Sequence, residues 1–146
     1  MTADTSITTI AHAIQLAVAP VFLLTGIGAV LAVLTNRLGR VIDRGRTLQG
    51  QLLSDVEPDE ADIHRQLAIL SRRARLINWA ISLCTACALL ICAVIAVLFL
   101  GSFVPIDMSL PIALLFITAM SALFVGLVFF LREVYLATAN LRIGAG

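Results

Sequence analysis

The sequence contains no lysine and few charged residues of any kind. Of its 146 residues, 13% are charged and 60% are hydrophobic, whereas a soluble domain has about 25% charged and about 45–50% apolar residues. Asp, Glu, Lys and Arg are absent from residues 5–36, 76–106 and 108–131. Each of these runs exceeds the roughly 20 residues that cross a bilayer. The sequence therefore predicts an all-α membrane protein with three transmembrane helices.

The sequence also lacks the motifs of enzymes and metal sites. It has no glycine-rich loop followed by Lys and Ser or Thr, no H-E-x-x-H, and no nucleophile placed beside a base. We therefore expect no catalytic residues, no metal and no cofactor. Cys84, Cys87 and Cys92 fall in the second uncharged run and are interpreted as small packing residues. The net charge of +1 argues against nucleic acid as a partner.

Prolines and charges set the predicted boundaries of a single membrane domain. As one helix, residues 5–36 would be about 48 Å long, more than the roughly 30 Å hydrocarbon core requires. Pro20 is expected to kink or break this helix. The predicted segments are an interfacial or broken helix (5–18), a first span (20–36), a helical hairpin (37–76), a second span (79–103), a third span (111–131) and a C-terminal segment (132–146).

The arginines predict the orientation of the chain. All ten lie in the hairpin segment or near the C-terminus, and three spans place these two regions on one side. The opposite side has only Asp4 and Asp107. By the positive-inside rule, the N-terminus is outside and the hairpin and C-terminus are cytoplasmic.

Two apolar seams with a helical period predict the structure of the cytoplasmic segment. The first seam consists of Leu38, Val41, Gly45, Leu48 and Leu52, and the second of Ile63, Leu67, Leu70, Ala74 and Ile77. We expect the first two transmembrane helices to extend into the cytoplasm as an antiparallel helical hairpin. The hairpin should close near residues 53–58.

A polar helix face marks the point where the first span leaves the membrane. Within about 120° of one another lie Asn36, Arg37, Arg40, Asp43 and Arg44. Arginine forks bind phosphate and carboxylate, so this face could line a vestibule or a phosphate site. The alternative is an arginine collar at the lipid headgroups. The collar is the favoured interpretation, because any three-span protein needs one. The absence of lysine points the other way, towards specific partners, because a collar needs only charge.

A second arginine cluster, residues 72–75, precedes the second span. If the hairpin forms, this cluster and Asp43 lie at similar depth. We therefore expect an ion pair between Asp43 and Arg72 or Arg75. It would either hold the hairpin closed or open as a gate.

Three segments carry a resemblance to a known family: residues 19–28, residues 72–81, and the run Asn-Arg-x-x-Arg-x-x-Asp-Arg-x-Arg at residues 36–46. Over roughly residues 12–140 the chain resembles a bacterial family of small three-span membrane proteins classed only as a domain of unknown function. The resemblance implies the bacterial inner membrane and supplies no activity.

Two functional hypotheses follow. The first is a homo-oligomer that forms an ion-conduction pathway, since three helices alone enclose no lumen. Its pore and mouth candidates are Gln15, Thr25, Asn36, Arg37, Arg40 and Arg44, and an arginine-lined mouth favours inorganic anions. The second is a non-conducting scaffold or regulatory subunit whose hairpin binds a partner protein or anionic membrane lipids.

Overall fold

The computed structural model describes residues 2–53, 60–101, 103 and 107–139, without the side chains of residues 2–6. The chain forms three helices: α1 (Thr2–Leu52), α2 (Glu60–Gly101) and α3 (Ser109–Ala139). Each contains a segment long and apolar enough to cross a membrane. No strand occurs among the described residues. The prediction of an all-α membrane protein with three spans is confirmed.

α1 continues through Pro20, where the sequence predicted a kink or a break. Pro20 is buried inside the helix, and α1 is not interrupted there. A proline removes one backbone donor, a loss that membrane helices tolerate when neighbouring groups compensate for it. The expected helix break after residue 18 is therefore absent, and the interfacial position of residues 5–18 stays a prediction.

The segment that would close the predicted hairpin lies, except for Leu53, outside the described residues. On its two sides, α1 ends at Leu52 and α2 begins with Glu60 and Asp62 in its first turn, where acids complement the helix dipole. The predicted seams approach each other at Gly45, where an added Cβ would lie 3.9 Å from Leu70 Cδ2. The antiparallel geometry of the hairpin stays a prediction.

Burial recurs at seven-residue intervals along the helices. On α1 the buried positions in this register are Ala13, Pro20, Ile27, Leu34, Val41 and Leu48; on α2 they are Ile63, Ile77, Cys84 and Ile91; on α3 they are Ala119, Gly126 and Glu133. A seven-residue period keeps one seam of each helix turned towards its neighbours. Every residue in these seams is apolar or small except Glu133.

The contacts divide the chain into two compact units. The apolar unit comprises Met1–Leu31 and Leu83–Phe124, and the arginine-rich unit comprises Ala32–Ser82 and Val125–Gly146. The apolar unit exposes large side chains such as Phe22 and Phe124, as expected of a surface covered by lipid. All ten arginines of the sequence fall within the residue ranges of the arginine-rich unit.

Candidate functional site

The arginine-rich unit contains a fully buried carboxylate, Glu133, held between two arginines. The Nε and Nη2 atoms of Arg73 donate hydrogen bonds to Glu133 Oε1 at 3.1 and 2.8 Å. Arg37 Nη2 lies 2.8 Å from Glu133 Oε2, but none of the described residues donates a hydrogen bond to Oε2. The contact with Arg37 is therefore ionic, without the N–H alignment of a hydrogen bond. Glu133 is 0% exposed, whereas the two arginine side chains are about a quarter exposed.

The position of Glu133 in the seam of α3 explains its burial. It follows Ala119 and Gly126 at seven-residue intervals, so the helix turns this side chain towards the core. A buried charge costs several kcal/mol unless it is paired, and the two arginines provide that pairing.

Sequence reasoning missed Glu133, although a signal was present. It is the single acidic residue after Asp107, and it lies directly after the third uncharged run, beside Arg132. Extending the seven-residue register of Ala119 and Gly126 would have placed it in the core.

An aromatic ring also positions Arg37. Its guanidinium carbon lies 5.5 Å from the centroid of the Phe130 ring, within the range of a cation–π interaction. Phe130 and Glu133 are three residues apart on α3 and therefore neighbours on the helix surface. One helix thus supplies both the charge and the ring that orient this arginine.

Four arginines converge on one cleft of about 250 Å³, which we call the arginine cleft. Its lining residues are Arg37, Arg40, Val41, Arg44, Leu70 and Arg73. On α1, the three arginines recur at spacings of three and four residues and so share one face. Arg40 and Arg44 are exposed and make no ion pair with a carboxylate among the described residues.

The cleft carries an excess of positive charge. Glu133 neutralises one of its four guanidinium charges, and no other salt bridge among the described residues compensates the remaining three. Arg40 and Arg44 also repel each other at i, i+4, which costs about 0.2–0.5 kcal/mol in a helix. Val41 and Leu70 supply an apolar lining, and a lower local dielectric strengthens any attraction to an anion. Because guanidinium groups do not release protons in proteins, this arrangement suits anion binding and not acid–base chemistry.

The structure brings together part of the predicted pore and mouth set. Arg37, Arg40 and Arg44 line the arginine cleft, and Arg73 of the second cluster joins them. Asn36 is exposed and is not part of the lining. Gln15 and Thr25 belong to the apolar unit and are exposed; the Thr25 hydroxyl donates to the Val21 carbonyl at 3.4 Å.

The predicted ion pair of Asp43 with Arg72 or Arg75 is absent from the described part of the chain. Asp43 is exposed, and the observed carboxylate partner of this arginine cluster is Glu133, which binds Arg73. The prediction considered only the first two helices, but α3 supplies the buried charge. Arg75 is exposed, and Arg72 lines a different groove.

The cysteines form no disulfide in the structure. Cys84 and Cys87 are buried and Cys92 is exposed. Within the described ranges, no group of three or more His, Cys, Asp or Glu side chains could hold a metal ion.

Neither the curated proteins nor the solved structures include a match to the chain. A family model described as "Protein of unknown function (DUF2721)" matches residues 17–143. The match spans most of α1, all of α2 and α3, and every residue that lines the arginine cleft. The chain therefore belongs to the DUF2721 family of proteins of unknown function.

Proposed function

We propose that this membrane protein binds a small oxyanion, a phosphate or carboxylate group, in the arginine cleft. The proposal rests on a difference in pairing among the four arginines. Arg37 and Arg73 are fixed by the buried Glu133, while Arg40 and Arg44 have no carboxylate partner among the described residues. Planar guanidinium forks match the geometry of phosphate and carboxylate oxygens.

The size of the cleft supports a small ligand. Pockets for drug-sized molecules measure about 300–1,000 Å³, and the arginine cleft is smaller, at about 250 Å³. A single phosphate group with bound water suits this volume better than a nucleotide or an organic cofactor does. The ligand is held by charge and released without covalent chemistry, so the proposed activity is recognition and not catalysis.

The proposed site lies at the membrane surface. Arg37 is the first charged residue after the uncharged run 5–36, and Arg73 lies three residues before the run 76–106. The positive-inside rule assigns this arginine-rich end to the cytoplasm. The proposal is therefore a site open to cytoplasmic anions at the inner membrane of a bacterium.

Calorimetric titration of the purified protein with inorganic phosphate tests the proposal. The Arg40→Gln/Arg44→Gln variant should bind at least about tenfold more weakly, because charge-assisted hydrogen bonds contribute about 1.5–3 kcal/mol each and about 1.4 kcal/mol corresponds to tenfold. The matched control is Arg46→Gln/Arg65→Gln, which removes the same charge from exposed positions outside the cleft. Equal affinities for the wild type and the cleft variant, or equal losses in both variants, would contradict the proposal.

Conduction by a homo-oligomer is the second candidate, favoured by the exposure of Gln15 and Asn36 on α1. Gln15 lies within the uncharged run 5–36, where lipid tails would offer its amide no hydrogen-bond partner, and Asn36 lies at the end of that run. Another copy of the chain would offer one, and the arginine cleft would then lie at the mouth of an anion pathway.

Chloride flux from proteoliposomes tests the second candidate. Wild-type flux above that of protein-free liposomes, reduced by Arg40→Ala, would support conduction. Wild-type flux equal to that of protein-free liposomes would reject it. Phosphate binding without flux would favour a non-conducting regulatory or scaffold protein.

A further inference from the structure

A second groove in the arginine-rich unit combines two positive charges with an apolar surface. Its volume is about 470 Å³, and its lining residues are Arg72, Val128, Leu131, Arg132, Tyr135, Leu136 and Ala139. None of these residues lines the arginine cleft, so the second groove is independent of the proposed anion site. None of the described lining residues is acidic: Glu133, although adjacent to Arg132, is fully buried and directed to Arg37 and Arg73.

The depth of the two arginines matches the headgroup layer. Arg72 lies four residues before the uncharged run 76–106, and Arg132 follows directly after the run 108–131. Charged residues at the ends of spans lie at the headgroup level, and tyrosine is enriched there. Tyr135 is 76% exposed in the groove. Tyr135 lies three residues after Arg132, so its ring and hydroxyl can contact the polar part of a headgroup.

Part of the apolar lining, Val128 and Leu131, lies on the membrane side of these charges, whereas Leu136 and Ala139 follow Arg132. Val128 and Leu131 precede Arg132 on α3, within or at the end of the uncharged run, and both are exposed. Exposed aliphatic side chains next to an arginine pair fit an acyl chain below an anionic headgroup.

We propose that the groove between Arg72 and Arg132 is a binding site for one anionic phospholipid. The phosphate pairs with the two guanidinium groups, and the acyl chain packs on Val128 and Leu131. Charge complementarity selects the lipid: a zwitterionic headgroup adds a cation beside the two arginines, whereas an anionic headgroup does not.

The single tryptophan of the chain provides the test. Trp79 is 60% exposed and follows Arg72 by seven residues, so it lies on the same helix face about 10.5 Å towards the membrane. An acyl chain beneath a headgroup on Arg72 would therefore pass near the indole. Quenching of Trp79 fluorescence by brominated acyl chains measures this proximity.

The experiment compares wild-type protein in phosphatidylcholine vesicles that contain a small, equal fraction of brominated phosphatidylglycerol or brominated phosphatidylcholine. The anionic lipid should quench at least twofold more strongly. Arg72→Gln/Arg132→Gln should abolish this difference, while Arg72→Lys/Arg132→Lys should keep part of it. The control Arg65→Gln/Arg75→Gln, which changes exposed arginines outside the groove, should keep the full difference in quenching.

Equal quenching by the two lipids in the wild type would overturn the proposal without reference to any variant. A difference that survives in Arg72→Gln/Arg132→Gln would overturn it as well.

Discussion

At the scale of single residues, the fully buried Glu133 organises the arginine-rich unit. A carboxylate without solvent contact depends on its counter-charges, whereas each of its arginines is about a quarter exposed and can be hydrated in part. The interaction is therefore asymmetric: removing both arginines leaves a buried charge unpaired, while removing the carboxylate leaves arginines that water can reach.

This asymmetry predicts an order of stabilities. Arg37→Gln/Arg73→Gln should destabilise the protein by about 3–5 kcal/mol, the usual cost of leaving a buried charge without its partner. Glu133→Gln should cost less. The triple variant Arg37→Gln/Arg73→Gln/Glu133→Gln should be more stable than Arg37→Gln/Arg73→Gln, because it no longer contains the unpaired carboxylate. Thermal unfolding of the purified proteins in detergent measures this order.

A triple variant that is less stable than the double arginine variant would contradict this account of Glu133. Arg65→Gln serves as the control, because Arg65 is exposed and its removal should leave the unfolding temperature nearly unchanged.

At the scale of elements, the sequence predicts the three spans because uncharged runs of that length have few structures other than a helix available in a membrane. It also identifies α1 as the carrier of the main arginine face. The sequence does not predict which carboxylate pairs with those arginines. By charge alone, Asp43 and Glu133 are equally suitable, and the choice depends on which seam positions of the helices meet. Pro20 shows the same limit: local chemistry predicts a kink or a break, and the helix continues through Pro20 without interruption.

The start of α3 supplies a prediction about pH. The Ser109 backbone N–H donates to Asp107 Oδ1 at 3.0 Å, and hydrogen bonds from the Ser109 side chain and backbone hold the pKa of Asp107 below its ordinary value. A lowered folded-state pKa stabilises the folded chain above the unfolded-state pKa, and this contribution is lost as the pH falls through the folded-state pKa.

Ser109→Ala should therefore raise the pKa of Asp107 towards its ordinary value, because the side-chain hydrogen bond is removed. Carboxyl-carbon NMR titration of Asp107 in both proteins measures the change. A midpoint that is the same in wild type and Ser109→Ala would show that the hydroxyl contributes nothing to the shift.

At the scale of the whole molecule, charge is sparse but concentrated. The arginine-rich unit holds both surfaces that we propose to bind anions, the arginine cleft and the groove between Arg72 and Arg132. The apolar unit contains all three Cys residues, of which Cys84 and Cys87 are buried, and large exposed apolar side chains that suit a lipid environment. The proposed anion recognition is therefore confined to residues of the arginine-rich unit.

The most direct test of anion recognition is an anomalous difference map from crystals soaked in tungstate, an oxyanion of tetrahedral shape like phosphate. The account predicts a peak within the arginine cleft, in contact with Arg40 and Arg44 and near Arg37 and Arg73. A map in which tungstate occupies other sites and leaves this cleft empty would contradict it.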